Sequence, residues 1–244
     1  MRHLSARDVL WIWEHGEGRH PLDQALVILA AGYPELPAGE LADLSIGERD
    51  ARLIALRLET LGPVMEGFGA CPSCAERVEI DVPGTAVVDG AAAGRPRAAP
   101  ALDVDGVRLS LRSPTSRDLA AIAGHGSVAE ARRALLRRCV AATRDGAPVA
   151  PDELPETVAE RVAARLAEAD PGAEVLLDVT CPRCGHAFQM LFDAASYVWA
   201  ELAARARRLI RDVHVLSRAY GWREDDILGM SPHRRQAYLA MVDA

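Results

Sequence analysis

The sequence predicts an α+β, mainly helical fold. Long stretches at both ends carry apolar residues at helical spacing, as in "ARDVLWIWEHG" and "LSIGERDARLIALRLETLGP". Strict apolar-polar alternation, the period of a half-exposed strand, is confined to short pieces such as "RVEID" and "VRLSL". The strand-like pieces "RVEID", which alternates, "EVLLDV", which reads as a buried strand, and "HAFQMLFD" flank two Cys-Pro-x-Cys pairs, "CPSC" at Cys71–Cys74 and "CPRC" at Cys181–Cys184.

The chain divides into five regions on this reading. Residues 1–68 read as an N-terminal helical region. Pro21 opens and Gly32 closes one helix, and Ser45 with Glu48 three positions on forms a capping box ahead of another that stops at Gly62-Pro63. Residues 69–82 and 174–192 hold the cysteine pairs and their strands. Between them, 83–101 is rich in Ala, Gly and Pro and predicts a flexible loop. The stretch 102–173 predicts an inserted hairpin turning at Asp105-Gly106, followed by helices: Thr115 and Asp118 cap one, and "SVAEARRALLRRCVAATRDG" and "LPETVAERVAARLAEADPG" follow. Residues 193–244 read as a C-terminal helical region. Its long helix carries Val198, Leu202, Ala206, Leu209, Val213, Leu216 and Tyr220 in one stripe, which needs a partner inside this chain or on another. Leu202, Leu209, Val213, Leu216, Tyr220 and Trp222 are therefore candidate partner-binding residues.

Composition excludes several classes of function. The chain has 244 residues and a net charge of -7, and all 28 of its basic residues are Arg. With no Lys, a Schiff-base or other lysine-dependent mechanism is ruled out. An acidic balance opposes a nucleic-acid binder that relies on its whole surface, since phosphate neutralisation needs a concentrated positive face. No apolar run reaches the roughly 20 residues of a membrane-spanning helix, and "MRHLSARD" lacks a secretory leader, so a cytoplasmic location is expected. The histidines form no metal or acid-base pattern, and no nucleophile and base can be paired, so no enzyme is expected.

The cysteines carry the chemistry. Cys71, Cys74, Cys181 and Cys184 supply four thiolates in two matching turns, each followed by a small residue, Ala75 or Gly185. Two such turns are expected to form a zinc ribbon around one tetrahedral Zn2+, the alternative being two half-sites completed by another chain, and four sulfurs leave no position for water, so the ion is expected to be structural. The 106 residues separating Cys74 from Cys181 make the ribbon a split one, closed over an insertion, and its strands at Val78–Val82 and Glu174–Val179 are expected to share one sheet. A redox Cys-x-x-Cys opens a helix, whereas strands follow these. His186 adds nothing to a complete donor set, and Cys139, inside a predicted helix, reads as a buried small hydrophobe.

The order "HPLDQALVILAAGYPE", "LSIGERDARLIALRLETLGP", "CPSCAERVEID", "LRSPTSRDLAAIAG", "CPRCGHAFQMLFDAASYVWAEL" and "YGWREDDILGMSPHRRQAYL" resembles the T-even-like phage baseplate hub assembly family, found also in phage-tail-like contractile injection systems. The resemblance runs from about Pro21 to Leu239 apart from the 83–101 loop. It implies a non-enzymatic assembly factor or adaptor of a baseplate, with baseplate, hub or spike proteins of a contractile tail as partners. The alternative is a zinc-ribbon regulator that binds nucleic acid through Arg205, Arg207, Arg208 and Arg211 in "RARRLIR".

Overall fold

The structure is a computed structural model that describes residues 1–85, 88, 101–104, 106–151 and 154–242. Most of the 83–101 loop therefore lies outside the described residues, as does Asp105 of the expected hairpin turn. The fold is α+β, mainly helical with small antiparallel sheets. It separates into two compact units, residues 1–35 with 195–244, and residues 36–194. This division cuts the region read as N-terminal helical in two: residues 36–68 belong with the sheets.

The first unit contains α1 (Ala6–Gly16), α2 (Pro21–Gly32) and most of α8 (Ala194–Tyr220), with α9 (Glu224–Leu228) and α10 (Pro232–Val242). Asp8 carries the start of α1. Its carboxylate accepts from the Ser5 backbone N–H at 2.8 Å, the Ser5 hydroxyl accepts from the Asp8 N–H, and Arg2 makes two bonds to the same carboxylate at 2.7 and 2.8 Å. The apolar stripe of α8 is buried by the chain itself: Leu202, Leu209 and Leu216 are at most 1% exposed. As free partner-binding residues these three are corrected, because their side chains already sit in a core. Val213 and Trp222 are half-buried, and Tyr220 is the exposed member of the set. Tyr220 stacks on Trp222 at 4.4 Å between ring centres, with Tyr238 edge-on to both.

Among the described residues the second unit holds α3 (Ala38–Ala42), α4 (Ile46–Leu61), α5 (Ser116–Ile122), α6 (Val128–Cys139), α7 (Glu156–Ala169) and eight strands. Strands β3 (Leu102–Val104), β4 (Val107–Leu111), β5 (Val140–Arg144) and β6 (Ala147–Val149) form one antiparallel sheet in that order. Its inner face, Val104, Val107, Leu109, Leu111, Val140 and Ala142, packs with Val158 and Val162 of α7. Here the sequence reading needs correction. The expected helix through "CVAATRDG" stops at Cys139, and Val140–Arg144 become β5, because β4 offers an open edge and Val140 and Ala142 alternate into the core. Asp145 and Gly146, at φ +51° and +82°, then make the two-residue turn into β6 that suits Asp-Gly.

Asp118, the capping residue of α5, ties this sheet to its helices. It is 0% exposed and accepts from the Thr115 N–H at 3.0 Å, from Arg138 at 2.7 Å and from both terminal nitrogens of Arg112 at 2.5 and 2.9 Å. Burial alone would raise its pKa; the hydrogen bonds from Arg112, Thr115 and Arg138 outweigh that and hold the carboxyl far below its usual range.

The remaining strands make two separate antiparallel hairpins, β1 (Glu66–Ala70) with β2 (Arg77–Asp81) and β7 (Leu176–Thr180) with β8 (Ala187–Leu191). Two expectations are overturned. Helix does not continue to Phe68, since β1 begins at Glu66, and the strands beside the two cysteine pairs do not join one sheet. β1, "EGFGA", carries almost no strand signal of its own; pairing with β2 makes it a strand.

Candidate metal centre

Each cysteine pair occupies the tip of one hairpin, and the two tips are built alike. Ala70 pairs with Arg77 across the first, and Thr180 with Ala187 across the second. In the first turn Cys71 N–H donates to Glu76 O and Ala75 N–H to Cys71 O, both at 2.9 Å. In the second, Cys181 N–H donates to His186 O and Gly185 N–H to Cys181 O, again at 2.9 Å. The chain reverses through a left-handed residue, Ala75 at φ +56° and Gly185 at φ +71°. At the far ends Val82 N–H bonds Met65 O at 2.9 Å and Phe192 N–H bonds Val175 O at 2.8 Å. Cys71, Cys74 and Ala75 thus correspond, position for position, to Cys181, Cys184 and Gly185.

Apolar side chains hold the hairpins together behind the tips. β2 buries Val78 and Ile80, β7 buries Leu177 and Val179, and Met190 of β8 lies over Gly69 of β1. A Cβ at Gly69 would stand 2.6 Å from Met190 Sδ, so Met190 would have to move to admit a side chain there. Nearer the tips, Arg183 bridges to Glu76 at 3.1 Å, a mostly exposed pair that contributes little.

This packing brings all four sulfurs within 4.8 Å of one another. Cys71 lies 3.7 Å from Cys184, and Cys74 lies 3.7 Å from Cys181, each contact joining one hairpin to the other. These gaps exceed the roughly 2.05 Å of a disulfide. They match the edge of about 3.8 Å expected for sulfurs placed tetrahedrally some 2.3 Å from a zinc ion. The four cysteines are free, with Cys71 and Cys181 buried, Cys74 half-buried and Cys184 exposed. Backbone hydrogen bonds from Cys184 and Arg183 pull the Cys181 thiol down to about 7. Cys74 receives a backbone bond from Glu76 that favours its thiolate, yet burial and the thiols of Cys184, Cys181 and Cys71 push it up to about 12. Coordination requires thiolates, so binding of a cation here would release protons.

The site predicted from sequence is therefore assembled as a cluster that could hold a metal ion and is compatible with zinc. His186 stands outside it, with its ring 6.0 Å from that of Phe188. Cys139 is also apart from it, 2% exposed, its thiol pushed up to about 11 by burial and then by the charge of Asp118. The sequence reading missed the buried pair Arg49–Asp50, at 2.7 Å, whose Arg49 also reaches Ser116 at 3.4 Å. Burial raises the pKa of Asp50 against the opposing pull of Arg49. Both residues lie on the polar side of the α4 pattern, and the neighbours they meet there, Ser116 beside Arg49 and Asp170 and Asp193 near Asp50, come from far along the chain. No helix of the described residues is long and apolar enough to cross a membrane. Comparison of the chain with protein-family models, curated proteins and solved structures gives no match.

Proposed function

We propose that this protein is a non-enzymatic assembly factor or adaptor of a contractile injection-system baseplate, held in shape by a structural zinc in a split zinc ribbon. The observation that carries the metal reading is the set of four sulfurs drawn from two equivalent hairpin tips and lying within 4.8 Å of one another, with two cross-hairpin pairs at 3.7 Å. Four thiolates fill the coordination sphere of zinc, so the ion has no open position for substrate or water, and its work is to join chain segments far apart in sequence. The motif order of the sequence, with its likeness to the baseplate hub assembly family, supplies the biological setting. Its partners are then baseplate, hub or spike proteins, and the scaffold role asks nothing catalytic of the chain.

Two measurements test this. Elemental analysis of the purified protein is expected to give one zinc per chain, lost in Cys71→Ser and in Cys184→Ser together with cooperative unfolding. Two ions per chain, or none, would overturn the metal reading. For the role, the tagged protein is expected to co-purify with baseplate or spike components from cells assembling such particles. Normal particle assembly in a strain deleted for the gene would overturn it.

A further inference from the structure

One face of the first hairpin and one stripe of α8 carry opposite charge. On the first hairpin, Glu66, Phe68, Glu79 and Asp81 point away from the packed side, with Phe68 paired to Glu79 and Glu66 to Asp81 across the strands. Phe68 is 53% exposed, and its ring carries the Arg77 guanidinium 3.7 Å away. Two adjoining clefts, of about 560 and 110 Å³, share Phe68 and Glu79 in their walls. Glu79 and Asp81 make no ion pair among the described residues. On α8, Arg207, Ile210, Arg211 and His214 are exposed and follow the spacing of one helical stripe, with Ile210 43% exposed. Arg207 and Arg211 likewise make no ion pair among the described residues.

These two surfaces are commensurate. Arg207 and Arg211, four residues apart on a helix, are separated by about 6 Å along its axis. Glu79 and Asp81, two residues apart on a strand, are separated by about 6.6 Å along it. Beside each charged pair stands one exposed apolar side chain, Ile210 and Phe68. We propose that the α8 stripe of one copy docks on the β1–β2 face of a second copy, Arg207 and Arg211 meeting Glu79 and Asp81 while Ile210 packs beside Phe68 and the Arg77 that lies on its ring. The contact joins unlike surfaces, so a pair keeps one free surface of each kind, and repetition gives a ring or an open array. It goes beyond the proposed function and depends on neither the identity of the metal nor the biological setting.

Sedimentation velocity on nuclease-treated, zinc-replete full-length protein tests it. The expected result is reversible self-association across the micromolar range at about 50 mM salt, abolished at about 500 mM. The double variants Glu79→Arg/Asp81→Arg and Arg207→Glu/Arg211→Glu are each expected to stay monomeric, with unchanged zinc content and circular dichroism. Mixing the two variants in equal amounts restores association, because each supplies the charge the other lacks. A wild-type protein that is monomeric throughout, association that survives either reversal, or a mixture that fails to associate would overturn the proposal. Loss of association on nuclease treatment would also overturn it, by assigning the arginines to nucleic acid.

Discussion

At the scale of single residues, the two hairpin tips provide an internal control on backbone strain. Ala75 and Gly185 occupy equivalent left-handed positions, and only the second is a glycine. A left-handed alanine costs about 1–2 kcal/mol, part of which glycine returns through its greater freedom in the unfolded chain. Ala75→Gly is therefore expected to raise the thermal midpoint slightly and Gly185→Ala to lower it, by differential scanning fluorimetry at constant zinc. Asp118 gives a pH prediction. Its folded pKa lies below the value of about 3.9 that it has when unfolded, so its contribution is fully present above that value and is lost as pH falls below it. Asp118→Asn is expected to cost about 2 kcal/mol at neutral pH, the scale of a hydrogen bond to a charged group. It should also flatten the fall in stability below about pH 4 in urea titrations. An unchanged acid limb in the variant would show that another carboxylate governs that range.

At the scale of elements, the sequence was legible wherever one segment contains its own reason to fold. The capped starts of α4 and α5 and the alternation of β2 and β4 are local facts, and the elements stand where those facts place them. β1 and β5 were illegible for opposite reasons. β1 has glycines at 67 and 69, the second with Met190 lying over it, so it lacks the side chains that announce a strand. β5 continues a helical run, and only the edge of β4 makes extended backbone the better choice for Val140–Arg144. The long α8 was readable as a helix, but whether its stripe was covered could not be read from it. Leu209, 1% exposed, is expected on replacement by Ala to lose about 2–5 kcal/mol from the first unit, measured by chemical unfolding, with zinc content unaffected. A loss of zinc in that variant would show that the stability of the two units is coupled.

At the scale of the whole molecule, a cation shared by the two tips would shorten a very long loop in the unfolded chain. Cys71 and Cys184 are 113 positions apart, and linkages that close long loops remove more unfolded-state entropy than those that close short ones. Chelation by a strong zinc ligand is therefore expected to lower the melting temperature and to expose residues 66–81 and 176–191 to limited proteolysis. Protection of both segments in the metal-free protein would mean that the apolar packing behind the tips suffices without the ion. The sequence by itself determined the donor set, because Cys-Pro-x-Cys is a local statement about where two sulfurs stand. It also determined the mainly helical α+β class, because periodicity is local too. Only the tertiary structure decided which sulfurs meet across the site, that the two hairpins stay separate sheets, and that the α8 stripe is interior. Those outcomes depend on which surfaces far apart in the chain bury one another, and no single stretch of sequence contains that information.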